Sequence, residues 1–232
     1  MKILVIVPAY NEERTIRGVI QNVRTALPAT DVLVVNDGSS DATGTIVREE
    51  GALILEHPYN MGIGATMQTG FLYALRNGYQ VAVQIDGDGQ HDPEFLPSLI
   101  GPLIQGKSNL VIGSRYLSDG GFKSTFFRKA GITFFACLIR ICTGKTVTDP
   151  TSGFRSMDRK GIRLFANDYP SDYPEVETLI LAHKKGLHFQ EVPTRMRHRQ
   201  GGTSSIGFLS AIYYMVKVTL SISIGVFRGA KE

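Results

Sequence analysis

Val81-Ala82-Val83-Gln84-Ile85-Asp86-Gly87-Asp88-Gly89-Gln90-His91-Asp92-Pro93 is an apolar run that breaks into two carboxylates separated by one glycine. The run Val81–Ile85 has the length and composition of a buried strand, which puts Asp86 and Asp88 just past its C-terminal end. In open α/β sheets, ligands bind outside the carboxyl ends of the strands. Two carboxylates one residue apart on a loop can share a hard divalent cation, and Gln90 and His91 follow closely. Magnesium takes oxygen ligands and completes its shell with water and substrate phosphates, so a nucleotide diphosphate would suit such a loop. Taken alone, the same residues also describe an acidic surface turn, and the rest of the chain has to decide.

Outward from this stretch, Ile3–Val7, Val32–Val35, Leu53–Leu55 and Leu110–Ile112 are further short apolar runs with β character. Helical periodicity fills the gaps at Glu12–Ala26, Asp41–Glu50, Gly62–Asn77 and Asp92–Gln105. Regular alternation of this kind predicts an α/β fold, with a mostly parallel sheet covered by helices on both faces. Asn11, Asp41 and Asp92 occupy N-cap positions, Glu12 and Glu13 suit a helix dipole, and Pro93 suits a first helical position. After Tyr116 the pattern loosens. Phe122–Lys145 is aromatic and aliphatic with Lys123, Arg128, Lys129, Arg140 and Lys145 spaced through it, which describes either a core helix or an amphipathic helix in a bilayer interface. A turn at Asp149–Gly153, a helix over Tyr173–Lys185 and a strand near His188–Val192 follow. The tail Ile206–Phe227 is apolar over about the length of a membrane span. A lysine near its middle, Lys217, and several Ser and Thr favour an interfacial or partner-docking helix over a span.

The chain of 232 residues, 43% hydrophobic, can bury a full core as one domain. The N-terminal apolar run is too short for a secretory signal, and Cys137 and Cys142 fall on different faces of one helix, so no disulfide and a reducing, cytoplasmic compartment are expected. Net charge is +4, but residues 1–114 carry 7 Lys/Arg against 12 Asp/Glu, and residues 115–232 carry the opposite excess, +9. The first half therefore suits a metal, and the second suits anionic phosphates or an anionic membrane surface. The second half interleaves its cations with Phe, Ile and Leu, which argues against a nucleic-acid partner.

Other strand ends carry candidate chemistry too. Pro8-Ala9-Tyr10-Asn11-Glu12 follows the first strand, and Asn36-Asp37-Gly38-Ser39-Ser40-Asp41 the second, where Asp37 could accept a base imide or a ribose hydroxyl. Asn60-Met61-Gly62-Ile63-Gly64 is a Gly-rich turn whose amides could approach a phosphate. These motifs, then Asp86-Gly87-Asp88-Gly89-Gln90-His91, Gly113-Ser114-Arg115-Tyr116, Asp149-Pro150-Thr151-Ser152-Gly153-Phe154-Arg155 and Arg199-Gln200-Gly201-Gly202-Thr203-Ser204-Ser205, stand in one order. In that order they resemble family 2 glycosyltransferases of the GT-A fold, and more closely the polyprenyl-phosphate glycosyltransferases, the dolichol-phosphate mannose synthase group. The resemblance covers essentially residues 3–205. Two departures stand out: that group usually reads DADLQH where this chain has DGDGQH, and an acidic pair where this chain has Asn36-Asp37.

The resemblance implies a division into a glycosyltransferase domain over 1–205 (a nucleotide-sugar half over 1–114, an acceptor half over 115–205) and an apolar tail over 206–232. It implies that Pro8, Ala9, Tyr10, Glu12, Asp37, Gly62 and Asp86 hold the nucleotide, and that Asp86, Asp88 and Gln90 hold Mg²⁺ or Mn²⁺. Arg115, Arg128 and the Arg199 loop would gather phosphates, with Asp88 and these arginines as the catalytic set. Arg155 would join the acceptor phosphate or pair with Asp149. The activity implied is metal-dependent, inverting transfer of one sugar from a UDP- or GDP-sugar to a polyprenyl phosphate at the inner membrane face, with a small membrane protein or a second copy as a further partner. The alternatives are transfer to a glycan or lipid hydroxyl, which would need a base such as Asp149, Glu175 or Glu177, and a catalytically silent sugar-nucleotide-binding subunit. A pyrophosphorylase should carry a Gly-rich basic loop after the first strand, where this chain has PAYNEER. A processive synthase should carry a QxxRW motif, and this chain has no Trp. A dehydrogenase is disfavoured because the GxG follows the third strand.

Overall fold

Alternating buried positions along the first strand set the layer order of the molecule. The computed structural model describes residues 1–117, 126–171, 174–197 and 217. In strand β1 (Ile3–Ala9), Leu4 and Ile6 enter one apolar core, while Val5, Val7 and Ala9 enter another on the opposite face. A strand buried on both sides reads as a continuous apolar run, as parallel sheets covered by helices do. The second face is closed by α1 (Ile16–Ala26), α2 (Thr43–Glu49) and α4 (Leu96–Ile104). The first is closed by α3 (Ile63–Arg76), α5 (Phe126–Thr143), α6 (Arg159–Asn167) and α7 (Pro174–Lys184).

The remaining strands are β2 (Asp31–Asn36), β3 (Leu53–Glu56), β4 (Val81–Gln84), β5 (Leu110–Ser114), β6 (Arg155–Asp158) and β7 (Phe189–Pro193), ordered β3-β2-β1-β4-β6-β5-β7. All neighbours pair parallel except β6, which is antiparallel to both β4 and β5. One sheet thus runs across the residue-114 boundary. The chain winds outward from β1 to β3 and then returns to the other side of β1 with β4. The carboxyl ends of β1 and β4 therefore frame the point where the order reverses, the place where such sheets leave a crevice.

The expected α/β layer is present, and its element boundaries differ by a few residues. The expectation missed β6 and α6. Strand β6 (RSMD) has no apolar alternation because its buried Arg155 and Ser156 bond to backbone carbonyls. The readable signal was Asp158, which caps α6 by accepting from the amides of Lys160 and Gly161. Asp92 caps as expected, accepting from Glu94 with Pro93 next in line. Asn11 does not cap: α1 begins at Ile16 after Thr15, with neither Glu12 nor Glu13 in its first turn.

Helix α5 packs one side into the core and leaves apolar side chains exposed on the other. Ile132, Phe135 and Ile139 are buried and face the core near α7, while Phe134, Cys137 and Ile141 are exposed, Ile141 at 76%. Both cysteines are free. Among the described residues, no helix is long and apolar enough to cross a membrane. The tail at 206–232 lies outside the described residues, apart from residue 217.

Close approach of α3 to the chain before α7 gives a test of this packing. A Cβ on Gly64 would lie against the backbone carbonyls of Pro170 and Ser171, which cannot rotate away. Gly64→Ala should lower the unfolding free energy by about 1–3 kcal/mol in urea titration. Gly131→Ala, in α5 where an added Cβ meets nothing within 4 Å, should be neutral or stabilising by up to about 1 kcal/mol.

Candidate active site

Loops leaving the carboxyl edge of the sheet are bonded to one another before they form a cleft. Asn11, held at a left-handed φ of 55°, donates its amide to Ser39 Oγ (2.9 Å) and accepts from the Ser40 amide (2.9 Å). The Glu12 amide donates to Thr43 Oγ1 (2.8 Å), and the Thr15 hydroxyl donates to the Gly87 carbonyl (2.7 Å). Asp37 is buried, and its carboxylate accepts the amides of Met61 and Gly62 (both 2.9 Å) beside His57 Nδ1 at 2.7 Å. The structure thus gives Asp37 a job the sequence reading did not assign it. It fastens the end of β2 to the turn that starts α3.

The resulting cleft has a volume of about 350 Å³, within the size range of small-molecule sites. Its walls include all seven positions expected to hold a nucleotide: Pro8, Ala9, Tyr10, Glu12, Asp37, Gly62 and Asp86. Asp88, Gln84 and Glu175 complete its acidic end. Asp86 leaves its side chain 38% exposed to the cleft. Gly153 makes room for it, since a Cβ there would stand 3.3 Å from Asp86 Oδ1. Asp88 is more enclosed and accepts the Gln90 amide at 3.0 Å.

His91, noted in the sequence only as a neighbour, holds this loop in place. The Asp86 amide donates to His91 Nδ1 (3.1 Å), so the ring proton sits on Nε2, 3.6 Å from Asp86 Oδ2. The ring is buried and stacks on Phe154 at 4.8 Å with a 10° interplanar angle. Gly89 adopts a φ of +73°, a conformation that most L side chains resist. The second glycine of DGDGQH therefore serves the turn's geometry.

Not every expected residue joins the cleft. Gln90 is absent from its walls; its carbonyl accepts the Arg197 amide at 2.8 Å. Arg115 is almost fully buried in a bidentate pair with Asp149, with Nε and Nη2 each 2.6 Å from a carboxylate oxygen. Burial works against its charge, but the Asp149 bonds outweigh that and hold its pKa above the ordinary value. Glu191 fixes the Asp149 loop by accepting the amides of Thr148 and Asp149 (2.8 Å each), and burial pushes its own pKa up.

Arg155 corrects both readings made of it. Asp149 is paired by Arg115, and the buried Arg155 guanidinium donates to the carbonyls of Pro150, Ser152 and Glu175 and to Thr178 Oγ1. It ties β6 to α7 and is not presented to an acceptor. Arg128 lies in α5 with its side chain outside the described set, and Arg199 lies outside the described residues altogether.

Donor chemistry suits a divalent cation as a half-shell. Asp86 and Asp88 supply carboxylate oxygen from one loop, and among the described residues no three His, Cys, Asp or Glu converge to hold a metal. Magnesium-like ions are commonly held by one or two carboxylates, with phosphate and water filling the other positions.

Comparisons with known proteins place the chain among characterised relatives. The family described as glycosyl transferase family 2 matches residues 4–165. The chain is 32% identical over 225 residues to polyprenol monophosphomannose synthase of Mycolicibacterium smegmatis, covering 93% of this chain and 84% of that one. It is 32% identical to undecaprenyl-phosphate mannosyltransferase of Micrococcus luteus, covering 89% and 88%. Among solved structures, glucosyl-3-phosphoglycerate synthase of Mycobacterium tuberculosis with Mn²⁺, UDP-glucose and phosphoglyceric acid matches with a TM-score of 0.71 and 25% identity, over 90% of this chain and 76% of that one.

The buried Arg115–Asp149 pair yields a direct stability test. Asp149→Ala leaves a guanidinium uncompensated inside the fold and should cost about 3–5 kcal/mol in denaturant unfolding. Removing both charges with Arg115→Met and Asp149→Leu should recover much of that loss, because the pair's attraction is offset by its own desolvation.

Proposed function

The chain belongs to glycosyl transferase family 2, and we propose that it transfers one sugar, with inversion, from a nucleotide sugar to a polyprenyl phosphate. The observation that carries this reading is the cleft at the β1/β4 reversal point, where the Pro8–Glu12 turn meets Asp86 and Asp88. Relatives named for polyprenol and undecaprenyl-phosphate substrates support the acceptor class.

In this reading the nucleotide lies along Pro8–Glu12 and the turn at Gly62, which Asp37 holds in position by accepting the Met61 and Gly62 amides. Asp86 and Asp88, with Gln90 as a third candidate, would hold Mg²⁺ or Mn²⁺. Such an ion, when bound, stabilises the charge that gathers on a departing nucleoside diphosphate. A phosphate monoester has a second pKa near about 6, so the acceptor oxygen is already anionic near neutrality. Transfer to it requires no general base. Asp149, one candidate base for a hydroxyl acceptor, is fully buried against Arg115. Arg128 and Arg199 would meet the acceptor phosphate, and the exposed Phe134, Cys137 and Ile141 stripe of α5 beside Arg140 would rest at a lipid headgroup boundary. The tail at 206–232 would lie on the same membrane or dock a small membrane protein or a second copy.

A panel of radiolabelled UDP- and GDP-sugars with a short polyprenyl phosphate tests the reading by scoring lipid-extractable label. One donor should give label that Mn²⁺ or Mg²⁺ supports and a chelator abolishes. Asp88→Ala should lose turnover while melting within a few degrees of the parent. Near-normal turnover in that variant would defeat the metal assignment. A nucleoside diphosphate with Mn²⁺ at 100 times its dissociation constant should add about 2.7 kcal/mol of stability, and no protection by any would overturn nucleotide binding.

A further inference from the structure

We propose that Glu175 is the residue that reads the donor sugar, its carboxylate accepting hydrogen bonds from sugar hydroxyls. This rests on the nucleotide-sugar reading of the same cleft. Glu175 is distinctive by position: every other residue lining the cleft falls between Pro8 and Asp88, whereas Glu175 comes from the first turn of α7. It lines the cleft together with Asp86 and Asp88, where the chemistry would take place.

The other carboxylates of the cleft already have duties. Asp37 is engaged by two amides and His57. Glu12 meets the Thr15 hydroxyl at 2.9 Å. Asp86 and Asp88 form the candidate half-shell, and Glu175 does not complete it, because no three acidic or imidazole groups among the described residues converge on one ion. A phosphate acceptor needs no base, so that role is not required of Glu175 either. Burial pushes its pKa up, while the nearby Arg155 and Arg115 guanidinium groups and its own backbone amide favour the charged form against Asp86, and none of its side-chain neighbours among the described residues hydrogen-bonds the carboxylate. A half-buried carboxylate with open acceptor positions in a polar cleft suits a neutral, hydroxyl-rich ligand, since its two oxygens can accept from adjacent hydroxyls and charge-assisted bonds are the stronger kind.

The carboxylate is also held ready. Arg155 Nη1 donates to the Glu175 carbonyl (2.7 Å) and to Thr178 Oγ1 (2.8 Å), and Thr178 Oγ1 donates in turn to the Pro174 carbonyl (2.6 Å). The buried guanidinium thus fixes the first turn of α7 against β6. This gives Arg155 a positioning role in place of direct contact with phosphate.

Calorimetric titration of the full chain in Mn²⁺ separates the possibilities, using UDP, GDP, UDP-glucose, UDP-N-acetylglucosamine and GDP-mannose on the parent and on Glu175→Gln. For the nucleotide sugar that the parent turns over, the variant should bind about tenfold or more weakly. Its affinity for the matching free diphosphate should change less than twofold. Equal loss of both ligands, including loss through misfolding, would overturn the proposal and make Glu175 part of the diphosphate site or the fold. Unchanged affinity for the nucleotide sugar would also overturn it; if transfer alone slowed, Glu175 would be a base serving a hydroxyl acceptor. Failure of the parent to bind any nucleotide sugar would instead sink the functional reading on which the proposal stands.

Discussion

Backbone amides at the carboxyl edge of a parallel sheet have no further strand to bond, and their satisfaction decides what this edge can become. Amides that give up water as loops pack need other acceptors, and the loops leaving β1 and β2 find theirs in neighbouring loops. Side chains supply them: Ser39 and Thr43 accept from the PAYNE turn, Asn11 accepts from Ser40, and Asp37 accepts from Met61 and Gly62. The cleft is the space left once these bonds are made. Its shape is thus fixed by hydrogen bonds between loops that are distant in sequence, and a nucleotide entering it would meet walls already in place. Such preorganisation lowers the cost of ordering on binding.

Charge follows the same division between structure and exposure. The second half of the chain has a cationic surplus, yet two of its most prominent arginines are interior. Arg115 is neutralised by Asp149, whose loop is held in turn by Glu191, and Arg155 is surrounded by carbonyl dipoles. Neither adds much to the field seen by a phosphate in solvent. Any attraction of that half for anionic lipid or acceptor must come from other cations, such as Lys129 and Arg140 on the exposed side of α5.

The parallel half of the fold was legible because its physics is repetitive. Strands buried on both faces are apolar runs, and the helices between them show clear periodicity. The reach of Asp37 was not legible, because its partners at 57, 61 and 62 come together only after β2, β3 and α3 have packed. The same holds for Asn11, whose type and position fit a helix cap equally well. Strand β6 hid for the opposite reason: it buries a guanidinium and a hydroxyl, so its sequence looks like a surface segment. Most of the cleft residues were legible as a list, since Pro8–Glu12, Asp37, Asp86 and Asp88 fall at the ends of apolar runs, whereas Glu175 comes from α7 and was not among the residues expected there. Which of them face a ligand and which hold the loops together depended on tertiary hydrogen bonding.

The two departures from the usual motif pattern become intelligible in the same terms. Asn36 replaces an acid, and its side chain turns away from the cleft: its amide donates to Glu56 at 3.1 Å and its oxygen accepts from Ser39. A carboxylate there would face Glu56 with like charge and no proton to donate. Asn36 thus matches the end of β2 to the end of β3, and the substitution does not itself alter the groups lining the cleft. The glycine at 89 answers a local demand too, a left-handed turn that lets Gln90 bond back to Asp88 while His91 tucks beneath Asp86. Both changes concern the support of the acidic loop and its neighbours. The carboxylates that would meet a metal and a sugar, Asp86, Asp88 and Glu175, still converge on one cleft.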